Sequence, residues 1–158
     1  MADNTLFPKM ARNAFINAAD AGAISSHVLN NVLKYDGVDT TIIKSYLKHK
    51  DPWVRSCTAK VIGKHGPHDV LIAAVKVERE KDVLLCMINE LSKCKVGLDE
   101  LIQMLSSEDD AVLEEMIIAL RSAGRSDLLF GLAFSDDESI ASRVKMYIEE
   151  GDGTKPNI

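Results

Sequence analysis

Residues 51–66 read Asp51-Pro52-Trp53-Val54-Arg55-Ser56-Cys57-Thr58-Ala59-Lys60-Val61-Ile62-Gly63-Lys64-His65-Gly66. The segment carries its own start and stop signals. Asp51 can cap a helix N-terminus, and Pro52 suits the first helical position, where its missing N–H costs nothing. Val54, Cys57, Thr58, Val61 and Ile62 then follow helical spacing. Gly66 ends the helix and Pro67 begins the next segment.

The same pattern returns along the chain. A step of 29 residues places Val83, Cys86, Met87 and Leu91 where Val54, Cys57, Thr58 and Ile62 stood. Another 29 brings Val112, Met116 and Leu120, and 28 more brings Ile140, Val144 and Ile148. One step backwards gives Val28, Leu29, Val32 and Leu33. The predicted helices are 25–35, 52–65, 81–93, 108–123 and 137–149.

A shorter apolar helix is expected before each. Ile42, Ile43, Tyr46 and Leu47 make one. Val70, Leu71, Ala74 and Val75 make another. Leu98, Leu101, Ile102 and Leu105 make a third, and Leu128, Leu129, Leu132 and Ala133 a fourth. Phe15, Ile16 and Ala19, opened by Pro8, form a weaker first member. Ser135 with Glu138 reads as a capping box, and Ser107 as a further cap. Gly37, Gly97, Gly124 and Gly151 punctuate helix ends. Each pair has apolar stripes that it cannot bury alone, and stacking at a constant step would bury them together. The expected fold is therefore all-α, an α-α superhelix of about five helix pairs. A single domain is expected over 8–150, with loose ends at 1–7 and 151–158.

Asp51-Pro52-Trp53-Val54-Arg55, running through Ala59 to Gly63, resembles the second helix of a HEAT repeat. The period is similar to the short HEAT-like repeats of phycobilisome-lyase-type proteins. Arg55 is not repeated; Leu84 and Leu113 take its place. The resemblance implies a helical superhelix that presents surfaces to partners, and it implies no single activity.

Composition fits this reading. The chain has 158 residues, 46% of them apolar and 5% aromatic, as suits packed helices better than a sandwich of sheets. Net charge is −5. Residues 1–95 carry 14 Lys and Arg against 10 Asp and Glu; residues 96–158 carry 5 against 14. A basic half is thus followed by an acidic one. Three cysteines are an odd number and give no disulfide framework, which points to a reducing compartment, the cytoplasm. No secretory signal is expected at the N-terminus, and no apolar run approaches bilayer length.

Several residue sets bear on function. His65, His68 and Cys94 could gather around a zinc ion, and Cys57 and Cys86 hold equivalent places on adjacent helices. The competing reading makes all three cysteines small packing residues. Glu90 and Glu115 fall in otherwise apolar columns, and Arg143 lies 28 residues beyond Glu115, spaced for an inter-repeat ion pair. Ser56, Lys60 and Lys64 lie opposite the core face, with Asn31 one step before and Asn89 and Lys93 one step after. If the second helices line the concave side, as the resemblance implies, these residues form a polar inner ridge. Leu85, Leu113 and Ile118 exceed a single apolar stripe and are candidates for partner contact or for burial on several sides. Trp53 is either an exposed anchor or packed on the preceding repeat.

Gly-rich phosphate loops, Gly-x-Ser-x-Gly and His-Glu-x-x-His are absent from the sequence. None of His27, His49, His65 or His68 precedes a Glu, so the iron-binding pairs of HEAT-like hydroxylases are not matched. A single Trp and an acidic second half match HEAT-like DNA glycosylases poorly. No cofactor or metal is expected. The leading expectation is a non-enzymatic scaffold or adaptor that binds another protein through Asn31, Arg55, Lys60, Lys64, Asn89, Lys93, Leu85, Leu113 and Ile118, with a homodimer also open. One alternative is a nucleic-acid binder using Lys44, Lys48, Arg55, Lys60 and Lys64. Another, carried only by the resemblance, is a lyase or chaperone acting on a chromophore-bearing protein.

Overall fold

The computed structural model describes residues 5–94, 100 and 110–151. Among them every regular element is helical and no strand occurs. The helices are α1 (Leu6–Asp20), α2 (Ser26–Lys34), a 3-10 helix (Ile43–Lys48), α3 (Pro52–His65), α4 (Asp69–Val75), α5 (Lys81–Lys93), α6 (Asp110–Ser122), α7 (Ser126–Ala133) and α8 (Glu138–Gly151). The five longer periodic helices expected from the sequence correspond to α2, α3, α5, α6 and α8. The member expected at Leu98–Leu105, the cap Ser107 and the punctuating Gly97 lie outside the described residues. The chain divides into two compact units, Met1–Cys94 and Lys95–Ile158.

In the first unit α1 packs on α2, α2 on α3, and α3 on α5, with the 3-10 helix and α4 completing the layers. The weak first member is a full helix. It opens at Leu6, ahead of Pro8, because the first-turn N–H groups of a helix have no internal partner to lose. Its Phe15 is wholly buried, in one cluster with Ala11, Ala19, Ile24, Leu29, Val32, Ile43, Val54, Cys57 and Val61. The expected helix at Ile42–Leu47 is wound as 3-10 instead. A short run rich in β-branched residues, closed by Asp51-Pro52, cannot nucleate α-helix well. The tighter winding buries Ile43 and Leu47 and leaves Ile42 exposed, against its expected place on the stripe.

The signals read in α3 are all used. Asp51 Oδ1 accepts from the Trp53 backbone N–H at 2.9 Å. Gly66, at φ 77°, turns the chain out, and its N–H reaches the Ile62 carbonyl. Val54, Cys57, Thr58, Val61 and Ile62 are fully buried. The buried Thr58 hydroxyl is satisfied by the Val54 carbonyl at 2.7 Å. α3 and α5 approach closely at Gly63, where an added Cβ would lie 2.6 Å from the Glu90 Cβ.

Side-chain bonds also tie the elements of this unit together. The Trp53 indole N–H donates to the Ile24 carbonyl at 2.8 Å. The Thr40 hydroxyl donates to the Gly66 carbonyl at 2.6 Å. His65 Nε2 lies 3.1 Å from the Val32 carbonyl, which makes that nitrogen the donor. The Tyr46 hydroxyl donates to Asp20. These bonds join residues 26 to 33 positions apart, close to the sequence period.

In the second unit α6, α7 and α8 pack against one another. Val112, Leu113, Met116, Ile117, Leu120, Leu128, Leu129, Leu132, Ile140 and Val144 are buried. The capping box expected from Ser135 and Glu138 is replaced by an Asp137 cap. α8 begins at Glu138, so Asp137 occupies the capping position, and its Oδ1 accepts from the Ser139 and Ile140 backbone N–H groups. Ser135 instead accepts from the Asp137 N–H. Among the described residues no helix is long and apolar enough to cross a membrane.

Candidate functional site

The polar residues expected on one ridge divide into two groups. Lys60 of α3 joins Asn89 and Lys93 of α5 around one shallow depression of about 320 Å³, which Asp82, Leu85, Cys86 and Glu90 complete. Adjacent α3 and α5 carry them because Lys60 and Asn89 are one repeat step apart. Lys93 is exposed and donates to Glu90 at 2.8 Å across one helical turn. Such a pair contributes little to stability where one partner is solvated. Glu90, which the sequence set in an apolar column, keeps only 14% of its side chain exposed and meets the cost of that burial by pairing with Lys93. Lys64 is exposed on α3, and Asn31 on α2 bonds His27 at 3.1 Å.

Arg55 does not belong to this surface. Its guanidinium grips Glu78 through two bonds, at 2.8 and 3.0 Å, and donates to the His49 carbonyl at 2.8 Å. Only 13% of the Arg55 side chain and 5% of Glu78 remain exposed. Burial pushes the Glu78 carboxyl up, but the Arg55 bonds and the Glu80 and Arg79 backbone N–H groups outweigh it and hold it below the usual carboxylate range. A bidentate, desolvated arginine is a clamp between the start of α3 and the loop before α5. Sequence reading missed Glu78 because it lies in a loop, where no periodicity marks it.

The apolar overspill also divides. Leu113 is 1% exposed and is a core residue, so its place as a contact candidate is corrected. The mutual packing of α6, α7 and α8 uses more of α6 than one stripe. Ile118 is exposed in the second unit and Leu85 half-buried in the first. Trp53 packs on the preceding repeat through its N–H, which is fixed to the turn before α2, and leaves its ring partly exposed. The Glu115 side chain lies outside the described residues, and with it the pair expected with Arg143; Arg143 Nε donates to the Ser139 carbonyl at 3.4 Å.

The cysteines behave as packing residues. Cys57 is fully buried, and burial pushes its thiol up to about 11, with Lys60 opposing. Burial likewise raises Cys86 and Cys94. All three are poor thiolates and hence poor nucleophiles at neutral pH. His68 Nε2 approaches Cys94 Sγ at 3.2 Å and the Gly63 carbonyl at 3.1 Å. His65 turns elsewhere, to Val32. Among the described residues no three His, Cys, Asp or Glu side chains gather to hold a metal.

No protein-family model, curated protein or solved structure matches this chain.

Proposed function

We propose that the chain is a non-enzymatic binding module of stacked HEAT-like helix pairs, an α-α superhelix that holds another protein against its longer helices. The observation that carries this reading is the depression on α3 and α5. There Lys60 and Asn89, one repeat apart in sequence, meet Lys93 beside Leu85. An apolar residue ringed by long polar side chains is the composition of a small interaction patch. The stacked reading is supported by the order α2, α3, α5 in the first unit and by bonds that span about one period. The thiols of Cys57, Cys86 and Cys94 fit a reducing compartment, the cytoplasm.

The nucleic-acid alternative loses support, because Arg55 is spent on Glu78 and leaves Lys44, Lys48, Lys60 and Lys64 without it. The chromophore-protein alternative gains no residue of its own. The decisive experiment compares the wild type with Lys60→Glu, Lys64→Glu in capture from the native host. One protein retained by the wild type, lost with the variant and weakened by salt is the expected result. Identical retention by both forms at low and high ionic strength overturns the reading.

A further inference from the structure

We propose that the first unit binds a phosphorylated peptide segment in the depression between the end of the 3-10 helix and the loop joining α4 to α5. The depression holds about 380 Å³ and shares no residue with the α3–α5 patch, so the two sites stand or fall separately. Lys48 and Lys50 come from one wall and Arg79 from the other, all three exposed. Among the described residues their side chains enter no ion pair. The buried Arg55–Glu78 pair lies between the walls and fixes both. Arg55 Nη1 donates to the His49 and Lys50 carbonyls at 2.8 and 3.2 Å. Glu78 Oε1 accepts from the Arg79 and Glu80 backbone N–H groups, both at 2.9 Å. The segments that bear the cations are thereby set before any ligand arrives, which lowers the cost of binding.

Charge selects the phosphate. Arg55 and Glu78 neutralise each other. In the rest of the lining the three cations Lys48, Lys50 and Arg79 exceed the one carboxylate, Glu80, by two charges. His49, whose Nδ1 accepts from the Asp51 N–H, is left out of that count. The surroundings keep the excess: residues 44–51, 55 and 76–82 hold seven Lys and Arg against four Asp and Glu. The α3–α5 depression sets Lys60 and Lys93 against Asp82 and Glu90, and the one beside α1 sets Lys9 and Arg12 against Asp36 and Asp39, so both balance. A phosphate monoester carries a charge of about −1.5 to −2 at neutral pH and offers three strong acceptor oxygens, one for each cation. A single carboxylate brings at most half that charge.

Shape selects a peptide as the bearer. Lys48, Lys50, Val77, Arg79 and Glu80 are all exposed, so the depression is too open to enclose most of a small molecule. Leu47, Ala74 and Val77 lie beside the cations, and Val77 is 69% exposed. An extended segment can place its phosphate among the cations and a neighbouring apolar side chain on Val77.

Retention of peptide pools on the immobilised whole chain tests the proposal. The pools are randomised except for a central phosphoserine, Glu or Ser. The phosphoserine pool is expected to be retained at least about tenfold better than either other pool. Lys50→Ala and Arg79→Ala, both at exposed positions, are each expected to cut that retention about tenfold with helicity unchanged by circular dichroism. Lys60→Ala, in the other patch, is expected to leave it unchanged. Arg55→Met, Glu78→Leu keeps Lys48, Lys50, Arg79 and the net charge, and is expected to lower retention about threefold through looser walls. Unchanged retention by that folded double variant overturns the positioning role of the pair. Equal retention of the three pools, or retention of the phosphoserine pool that survives Arg79→Ala, overturns the site. A Glu pool held as well as the phosphoserine pool overturns the choice of phosphate. Free O-phosphoserine that competes at the same concentration as the pool, or Arg79-dependent binding to phosphoinositide vesicles in place of the pool, overturns the choice of a peptide.

Discussion

The first unit carries polar crosslinks between its elements, and the described core of the second is apolar. In the first, side chains cross from one element to the next and bond to backbone or to buried charge: Trp53 to Ile24, His65 to Val32, Thr40 to Gly66, Arg55 to Glu78. In the second, Arg125 pairs with Asp127 and Asp137 caps the first turn of α8 at Ile140. There the described packing of α6, α7 and α8 is apolar. Apolar burial is non-directional, whereas each polar crosslink demands one register. The crosslinks of the first unit thus add a demand of register to its apolar core.

Changes at single residues separate these two modes. The largest effect is expected from Leu120→Ala in the second unit, at about 4 kcal/mol, since the side chain is fully buried and its loss leaves a cavity. Urea unfolding measures it, and a loss below about 1 kcal/mol would show that the site collapses freely. Next comes Arg55→Ala, at about 3 kcal/mol, because it strands the Glu78 carboxylate in a site nearly closed to water. The double change Arg55→Met, Glu78→Leu is expected to recover most of that loss. Hydrogen exchange should place the damage around α3 and leave the amides of α7 and α8 protected as before. Gly63→Ala follows at about 2 kcal/mol, since its Cβ must displace Glu90 and so separate α3 from α5.

The contrast also bears on what was legible. The five periodic helices were readable because a buried stripe must recur at helical spacing, and Val54, Val83, Val112 and Ile140 each turn out buried. The winding of Ile43–Lys48 was not, since apolar spacing in a short run does not separate 3-10 from α geometry. Lys60 with Asn89 was legible as a shared face because the repeat step carries one onto the other. The removal of Arg55 from that face was not legible, because its partner lies in a loop. Leu113 was misplaced for a related reason: stripe width shows excess apolar residues but not how many neighbours a helix has.

Acid should act on the first unit through Glu78. Its folded carboxyl titrates below its ordinary value of 4.5, so the clamp contributes stability that is fully present above that value. This contribution is lost as pH falls through the lowered folded value, because the unfolded chain takes up the proton first. The stability of the wild type is expected to drop with acid in that window, and Glu78→Gln, already without its charge, should show a shallower slope there. Equal slopes would assign acid sensitivity to other carboxylates.

The smallest change offers the cleanest separation of register from volume. Trp53→Phe keeps an aromatic ring at the start of α3 and removes only the N–H that meets the Ile24 carbonyl. A neutral hydrogen bond of this kind contributes about 1 kcal/mol, and the Ile24 carbonyl, near a partly exposed ring, can take water in exchange. The expected loss is thus about 1 kcal/mol or less in overall stability. Exchange should be sharper than stability at showing it: amides at the start of α2, next to Ile24, ought to lose protection before those of α5. Uniform loss across the first unit would mean that the indole acts through packing area, and that the Trp53 bond sets no register of its own.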